Sequence, residues 1–131
     1  MSESIAPARA FKSAWFSKAA RKAKITDKAL CKAIAQVIAG QADDLGGGVF
    51  KKRLNDNNYR SIVLAKGREI WVYEFLFAKK DRDNIDDAEL KAFRKLAKGY
   101  SALTSEQIDT LVADKDWIEI CRPSGKQETG L

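Results

Sequence analysis

Apolar positions in the first forty residues repeat with helical spacing. In "SAWFSKAARKAK" the side chains of Trp15, Ala19 and Ala23 share one face, and cations occupy most of the other. The preceding "AFKSAW" fits the start of a short strand. A second apolar stripe predicts a helix that begins at the Thr26 or Asp27 cap and ends at Gly40. Its members are Ala29, Leu30, Ala33, Ile34, Val37 and Ile38.

After Asp44 the apolar period changes toward two, which is typical of β-strands. Three strands are predicted, at Val49–Leu54, Tyr59–Ala65 and Glu69–Ala78. The short turns "NDNN" and "KG" between them favour an antiparallel meander. Strict alternation in the third strand predicts one aromatic face, which we interpret as core packed on the two helices; a base-stacking surface is the alternative. That face comprises Trp71, Tyr73, Phe75 and Phe77.

The C-terminal third returns to helical spacing. Two capping boxes, Asp86 with Glu89 and Thr104 with Gln107, predict the starts of two helices. "WIEIC" at 117–121 fits a short edge strand. The sequence therefore predicts one α+β domain at 10–121, in which two N-terminal helices pack on one face of an antiparallel meander and C-terminal helices follow. A flexible tail at 1–9 and a disordered tail at 122–131 complete the 131 residues.

Composition indicates a cytoplasmic protein with no membrane partner. No apolar run approaches the roughly 18 residues of a membrane span, and the N-terminus lacks the apolar stretch of a signal peptide. Cys31 and Cys121 are the only cysteines, one in a helical pattern and one near the tail. We therefore expect free thiols in a reducing compartment rather than a disulfide framework.

Histidine is absent from the sequence, which restricts the available chemistry. There is no Ser-His or Cys-His pair, and two cysteines alone do not make a zinc site. The sequence predicts neither a metal site nor a cofactor. Any acid–base catalysis must use Lys, Arg, Tyr, Asp or Glu.

The net charge of +6 is unevenly distributed. Between Arg9 and Lys32 eight cations accompany one acid, and between Val49 and Arg82 nine cations accompany four acids. From Asp83 to Glu119 nine acids outnumber five bases. A polyanion would be attracted to the first two thirds of the chain and repelled by the last. Ordinary solvated surface charge is the alternative interpretation.

The segment "DLGGGVFKKR" joins a glycine run to three cations. It lacks the GxxxxGK[ST] spacing of a phosphate-binding loop, and no helix follows it. We interpret Gly46–Gly48 as a turn that needs positive φ or a close backbone approach.

The meander brings separated cations to one end of the sheet. Lys51 and Arg53 share a strand face, Lys52 takes the other, and Arg60 opens the neighbouring strand. Lys79, Lys80 and Arg82 follow the third strand at that same end. A phosphodiester of RNA suits such a cluster, with Arg60 as the phosphate clamp and Lys51 or Lys80 as a base or acid whose pKa nearby cations lower. The hypothesis fails if the guanidinium of Arg60 points away from both Arg53 and Lys80, beyond reach of a common anion. Nucleic-acid binding without chemistry is the alternative.

The order helix, helix, "DLGGGVFKKR", "YRSIVLAKG", "WVYEFLFAKKDRDNI", "ELKAFRKLAK" resembles the RelE/HigB superfamily of bacterial toxins, especially the RelE-like branch with the Asp-Leu-Gly-Gly-Gly and Phe-Ala-Lys motifs. The resemblance implies a RelE/ParE-like fold and the toxin of a type II toxin–antitoxin system. Many such toxins are metal-independent endoribonucleases that cleave mRNA in the ribosomal A site by attack of the 2′-hydroxyl. The implied catalytic residues are Lys51, Arg53, Arg60 and Lys80, and the RNA phosphate-binding residues are Lys52, Lys79, Arg82 and Arg68. Well-studied family members also carry a tyrosine a few residues after the cations that follow the last meander strand, but the corresponding stretch here, "DRDNIDD", has none.

The implied partners are a cognate antitoxin, of the helix-turn-helix type, and the ribosome with its mRNA. The ParE branch of the same fold inhibits DNA gyrase, so fold alone does not separate these targets. A non-catalytic binder of this fold, acting on gyrase or on nucleic acid, is therefore the alternative function. A basic interaction module with an acidic partner is a third.

Overall fold

The structure, a computed structural model, describes residues 8–121. Within that range four helices accompany one mixed sheet of six strands in the order β2-β3-β4-β5-β1-β6. The elements are β1 (Arg9–Ser13), α1 (Ala14–Lys22), α2 (Asp27–Ile38), β2 (Asp43–Gly46), β3 (Val49–Leu54), β4 (Tyr59–Lys66), β5 (Ile70–Ala78), α3 (Asp87–Ser101), α4 (Ser105–Ala113) and β6 (Trp117–Ile120).

The meander of β3, β4 and β5 is confirmed, with antiparallel pairing throughout. The expectation of a wholly antiparallel sheet is wrong, because β1 runs parallel to β5 and only its other edge pairs antiparallel, with β6. The sequence pattern also gave no indication of β2, which pairs with β3 across the glycine turn. Arg9, which we assigned to a tail, begins β1 and pairs with Glu119 of β6 at 2.9 Å.

The first two helices cover one face of the sheet, which we call the α1/α2 face. Phe16 and Ala20 of α1 and four residues of α2 form one core with the strands. Thr26 caps α2 by accepting a hydrogen bond from the Ala29 amide. Tyr73 of β5 joins the layers, because its hydroxyl donates to the Leu30 carbonyl oxygen at 2.7 Å. The buried residues from α2 are Leu30, Ala33, Ile34 and Val37.

The opposite face, which we call the α3 face, is covered by the C-terminal helices. Ala97, Leu90 and Phe93 of α3 pack on β3, β4 and β5, while Ile108 of α4 packs beside Trp117. Both predicted capping boxes are present at the starts of these helices. The domain is therefore a central sheet with a hydrophobic core on each side.

A bulge in β5 changes which aromatic residues share a face. Tyr73 pairs with Val63 and Phe75 pairs with Ile62, so Glu74 is one residue more than β4 can match. Trp71 and Tyr73 consequently belong to the α1/α2 core, whereas Phe75 and Phe77 pack with α3. The prediction of a single aromatic face is wrong because strict alternation stops at the bulge.

The bulged Glu74 is held from α3. The hydroxyl of Tyr100 donates to Glu74 Oε2 at 2.7 Å. Burial raises the pKa of Glu74 above its ordinary 4.5, although the Tyr100 hydrogen bond acts in the opposite direction. Burial and the Glu74 carboxylate both raise the pKa of Tyr100 as well.

We predict that Glu74→Gln makes the protein less sensitive to rising pH. The raised pKa of Glu74 means that the folded protein favours the protonated carboxyl group. The stability of the wild type is therefore lost as the pH rises from about 4.5 through the pKa that Glu74 has in the folded protein. Glutamine keeps an acceptor for Tyr100 without the buried charge. Thermal melts at pH 4, 6 and 8 should show the variant gaining on wild type as pH increases. A constant difference at the three pH values would contradict this.

The glycine turn is a packing device rather than an anion cradle. Gly46, Gly47 and Gly48 all have positive φ, as predicted for the turn. Arg94 of α3 donates to the carbonyl oxygens of Leu45 and Gly46 and lies across the turn. A Cβ on Gly48 would lie 3.2 Å from the Ala65 carbonyl oxygen and 3.3 Å from Ala97 Cβ. Glycine is thus required for both backbone conformation and close packing.

We predict that Gly48→Ala destabilises the domain more than Gly67→Ala. Both positions have positive φ, +83° and +58°, but a methyl group on Gly67 would have nothing within 4 Å. Gly67→Ala should therefore cost about 1 kcal/mol of backbone strain, and Gly48→Ala about 1–3 kcal/mol more for contact with Ala65 and Ala97. Urea unfolding measures both free energies. Equal losses would show that the close approach contributes nothing.

The expectation of free thiols is wrong. Cys31 of α2 and Cys121, which follows β6, form a disulfide with a Cα–Cα distance of 5.4 Å. The two cysteines are 90 residues apart in the sequence. They come together because β6 joins the sheet beside β1, and Ile120 of β6 packs in the same core as Leu30 of α2. The expectation treated the two cysteines as unrelated because it did not place β6 beside β1.

We predict that replacing both cysteines with serine lowers the free energy of unfolding by about 2–5 kcal/mol, because the bridge closes a long loop in the unfolded chain. Chemical denaturation with and without a reductant measures the change. The reductant should not affect the double variant, which is the control. Full labelling of both thiols in the native, unreduced protein would contradict the prediction.

The predicted tails at 1–9 and 122–131 lie, apart from residues 8 and 9, outside the described residues. Among residues 8–121, no helix has the length and apolarity that a membrane span requires.

Candidate functional site

Two arginines lie opposite each other on the α3 face, at the end of the sheet where β3 finishes and β4 begins. Arg53 pairs in register with Arg60, and Arg60 pairs with Phe77 of β5. Directly opposed side chains on a sheet have Cβ atoms about 5 Å apart. Two like charges at that distance oppose pairing, so packing alone does not favour this arrangement.

Arg60 is buried, with 8% of its surface exposed. Its Nη1 donates to the carbonyl oxygen of Asn57 at 3.0 Å and, less closely, to that of Tyr59 at 3.4 Å. Within residues 8–121, no carboxylate forms an ion pair with this guanidinium. A buried arginine held only by neutral carbonyls retains donors and charge for an anion.

Arg82 lies near this pair but has an acidic partner. Its guanidinium carbon is 5.2 Å from the centre of the Phe77 ring, and Phe77 is the register neighbour of Arg60. Its Nη2 forms an ion pair with Glu89, the N3 residue of the capping box that begins α3. Arg82 therefore connects the end of β5 to α3, and part of its charge is compensated.

Lys51 and Lys52 point to opposite faces, as alternation predicts. Lys51 shares the α3 face with Arg53, two residues along β3, and its Nζ lies 3.8 Å from Asp43 Oδ2 on β2. That acidic neighbour was not anticipated, because β2 was not predicted. Lys52 Nζ donates to the Gln41 carbonyl oxygen at 3.2 Å, on the side away from Arg60.

Lys79 and Lys80 occupy the same end of the sheet but open toward α1. Lys80 lines a depression of about 570 Å³ against α1 and a second one of about 620 Å³ that also includes Lys79. Tyr59 lines both, and Arg60 is not among the lining residues of either. Thus Arg53 and Arg60 are register neighbours on one face of the sheet, whereas Lys80 lines an adjoining groove that Arg60 does not line. That Arg53 and Arg60 bind a common anion stays a prediction.

Arg68 lies at the opposite end of the sheet. It follows β4 in the turn before β5, whereas Arg60 is near the start of β4. Six residues of strand separate Arg60 from Lys66, about 20 Å at the usual rise. Successive turns of a meander lie at opposite ends of the sheet. Arg68 is in the turn between β4 and β5, so it lies at the end opposite to the other candidate cations.

Sequence reasoning missed two aromatic residues at this end of the molecule. Tyr59 was predicted only as the first residue of a strand, yet it lines both depressions beside Lys80. Trp15 was assigned to the apolar face of α1, yet it is 51% exposed. Their signal was an aromatic residue next to cations, at Tyr59-Arg60 and in "SAWFSK".

Comparison with protein families shows the family to which the chain belongs. A family model described as the RelE toxin of the RelE/RelB toxin–antitoxin system matches residues 8–120, almost the whole described domain. The chain belongs to the RelE toxin family. The comparison with curated proteins and the comparison with solved structures each found no match.

Membership identifies this RelE-family protein as a toxin of a toxin–antitoxin pair, with an antitoxin as its partner. The six-stranded sheet with four helices is consistent with the α+β fold inferred from the resemblance. The narrower assignment to the branch with the Asp-Leu-Gly-Gly-Gly and Phe-Ala-Lys motifs remains a prediction.

Proposed function

We propose that this RelE-family toxin inhibits translation as a ribosome-dependent endoribonuclease that cleaves mRNA. The observation that supports the proposal most strongly is buried Arg60, opposite Arg53 and without a carboxylate partner among residues 8–121. Burying a charge without an oppositely charged partner is unfavourable. An anionic substrate that binds at Arg60 would supply that partner.

The arrangement suits a phosphodiester undergoing attack by its own 2′-hydroxyl. Charge then accumulates on the phosphoryl oxygens, where a fixed guanidinium stabilises it more than it stabilises the ground state. Arg60 is fixed by the Asn57 and Tyr59 carbonyls, and Arg53 supplies a second, exposed guanidinium. Lys51 lies farther along the same face and is a candidate for proton transfer or charge stabilisation.

Lys79 and Lys80 fit a different part of the same RNA strand. They lie at the same end of the sheet as Arg60 but face the groove beside α1. A strand of several nucleotides presents several phosphates, so one strand can contact both groups. The cations Lys80 and Lys79 then position RNA, and the cleavage centre lies around Arg60 and Arg53. Among other RelE-fold activities, inhibition of gyrase is the alternative, which would arrest growth without cutting mRNA.

We predict that Arg60→Ala reduces mRNA cleavage by about 100-fold or more, which is typical when one fixed donor to a developing oxyanion is removed. The chain and its variant are induced briefly in cells, and new mRNA ends are mapped by primer extension. Wild type should generate ends within translated codons. Lys80→Ala should weaken cleavage less, because it is expected to affect RNA positioning.

Arg68→Ala is the matched control, since it removes the same side chain at the far end of the sheet and should cleave like wild type. Thermal melts of all variants identify any loss caused by unfolding of buried Arg60. Growth arrest with intact mRNA would overturn the nuclease proposal. Arrest accompanied by an SOS response would support the gyrase alternative.

A further inference from the structure

Trp15 is the one tryptophan of this chain whose side chain is exposed. It is 51% exposed, whereas Trp71 and Trp117 are each 3% exposed. Trp15 lies in the first turn of α1, shortly after the Ser13 cap. Exposure of a large aromatic side chain costs free energy, and surface aromatic rings often mark binding sites.

The Trp15 ring is held in place. It stacks on Phe75 with 5.1 Å between centroids and 23° between planes. Phe75 in turn lies 5.8 Å from Phe93 of α3. The pairing of β1 with β5 stops at Tyr73, so among the described residues the second half of β5 has a strand only on its β4 side. Trp15 covers this open half, and one side of its ring is fixed by the core.

The surroundings of Trp15 are cationic. The depression of about 570 Å³ that it lines also contains Lys18, Lys22, Lys80 and Arg82, with Asp81 as its acidic lining residue. Lys18 and Lys22 follow Trp15 at helical spacing on α1, and both are exposed. At Tyr59 and Lys80 this depression meets the second one, of about 620 Å³. Tyr59 and Arg60 are consecutive in β4, so their side chains lie on opposite faces of the sheet. The groove nevertheless comes close to Arg60, because its first depression is also lined by Phe77, the register neighbour of Arg60.

A flat, immobilised ring bordered by flexible cations matches single-stranded nucleic acid, in which bases stack and phosphates carry charge. A helical partner would need several exposed apolar anchors at helical spacing. Trp15 and Leu96 are the exposed large hydrophobic residues of the described chain, and Leu96 is on α3. RNA therefore fits this surface better than an apolar peptide.

We propose that Trp15, with Lys18 and Lys22, forms a stacking subsite for one nucleotide of single-stranded RNA and leads the strand along the groove toward Arg60. The inference rests on the proposed action on RNA. It extends that proposal by assigning α1, which the catalytic hypothesis does not use, to substrate binding.

The test uses the full chain and a ten-residue oligouridine with 2′-O-methyl groups, which attack by the 2′-hydroxyl cannot cleave. Because the other two tryptophans are buried, quenching of tryptophan fluorescence on binding reports mainly on Trp15. We expect saturable quenching. Anisotropy of a labelled oligonucleotide should show that Trp15→Leu weakens binding about 5- to 100-fold, the loss typical of one stacked base, and that Trp15→Phe retains most of the affinity.

Charge is tested separately. Replacing Lys18 and Lys22 with glutamine should reduce the slope of log affinity against log salt by about 1.4, if both contact phosphates of a single strand. Lys91→Gln with Lys95→Gln on α3, at the same four-residue spacing, and Leu96→Ala are the matched controls and should bind like wild type. All variants are checked by thermal melting.

Unchanged oligonucleotide affinity in folded Trp15→Leu would overturn the subsite, even where mRNA cleavage by wild type is demonstrated. Loss of antitoxin binding without loss of RNA binding would also overturn it and would assign Trp15 to the antitoxin. Conversely, stacking-dependent RNA binding with no mRNA cleavage in cells would retain the subsite and reject the nuclease activity. The two proposals therefore fail by different observations.

Discussion

The bulge at Glu74 determines how the two halves of this domain meet. One extra residue in β5 lets Tyr73 reach into the α1/α2 core while Phe75 and Phe77 turn to α3. Tyr100 fixes the bulge from α3 by its hydrogen bond to Glu74. Without the extra residue, alternation would place Phe75 and Phe77 on the other face, and neither the Trp15 stack nor the contact of Arg82 with Phe77 would form. A local irregularity thus connects the core to the candidate site.

Arg60 differs from several other cations of this chain in its burial and in its contacts. Several cations have compensating contacts: Arg9 with Glu119, Lys12 with Asp27, and Arg82 with Glu89. Arg60 is instead buried against neutral carbonyls and opposite another arginine. A protein that needed only solubility would leave this side chain on the surface, where its charge is hydrated. Arg94 also donates only to carbonyl oxygens, but it is exposed. Arg60 is the only buried arginine among residues 8–121, and this burial supports an anion site more strongly than the total charge does.

Local features of the sequence predicted local structure well. The caps at Thr26, Asp86 and Thr104, together with alternation in β3, placed those elements within a residue or two of their observed bounds. Predictions that depended on distant pairing were less successful. Parallel pairing of β1 with β5, and the Cys31–Cys121 disulfide that β6 makes possible, leave no periodic signal in the sequence. The bulge was missed for a related reason, since an extra residue is visible only against the partner strand.

In the candidate site, too, the features set by neighbouring segments of the chain were predicted better than those set by distant ones. Arg53 and Arg60 were predicted to meet because one short turn joins β3 to β4, and a short turn fixes register. Lys80 was placed at the correct end of the sheet, but the side from which it opens depends on where the chain turns after β5 and on how α1 lies along the open half of that strand. Lys80 therefore lines a cationic groove beside α1, and Arg60 is buried outside that groove. An RNA strand is long enough to use both, so the separation of Lys80 from Arg60 changes the expected role of Lys80 from chemistry to substrate positioning.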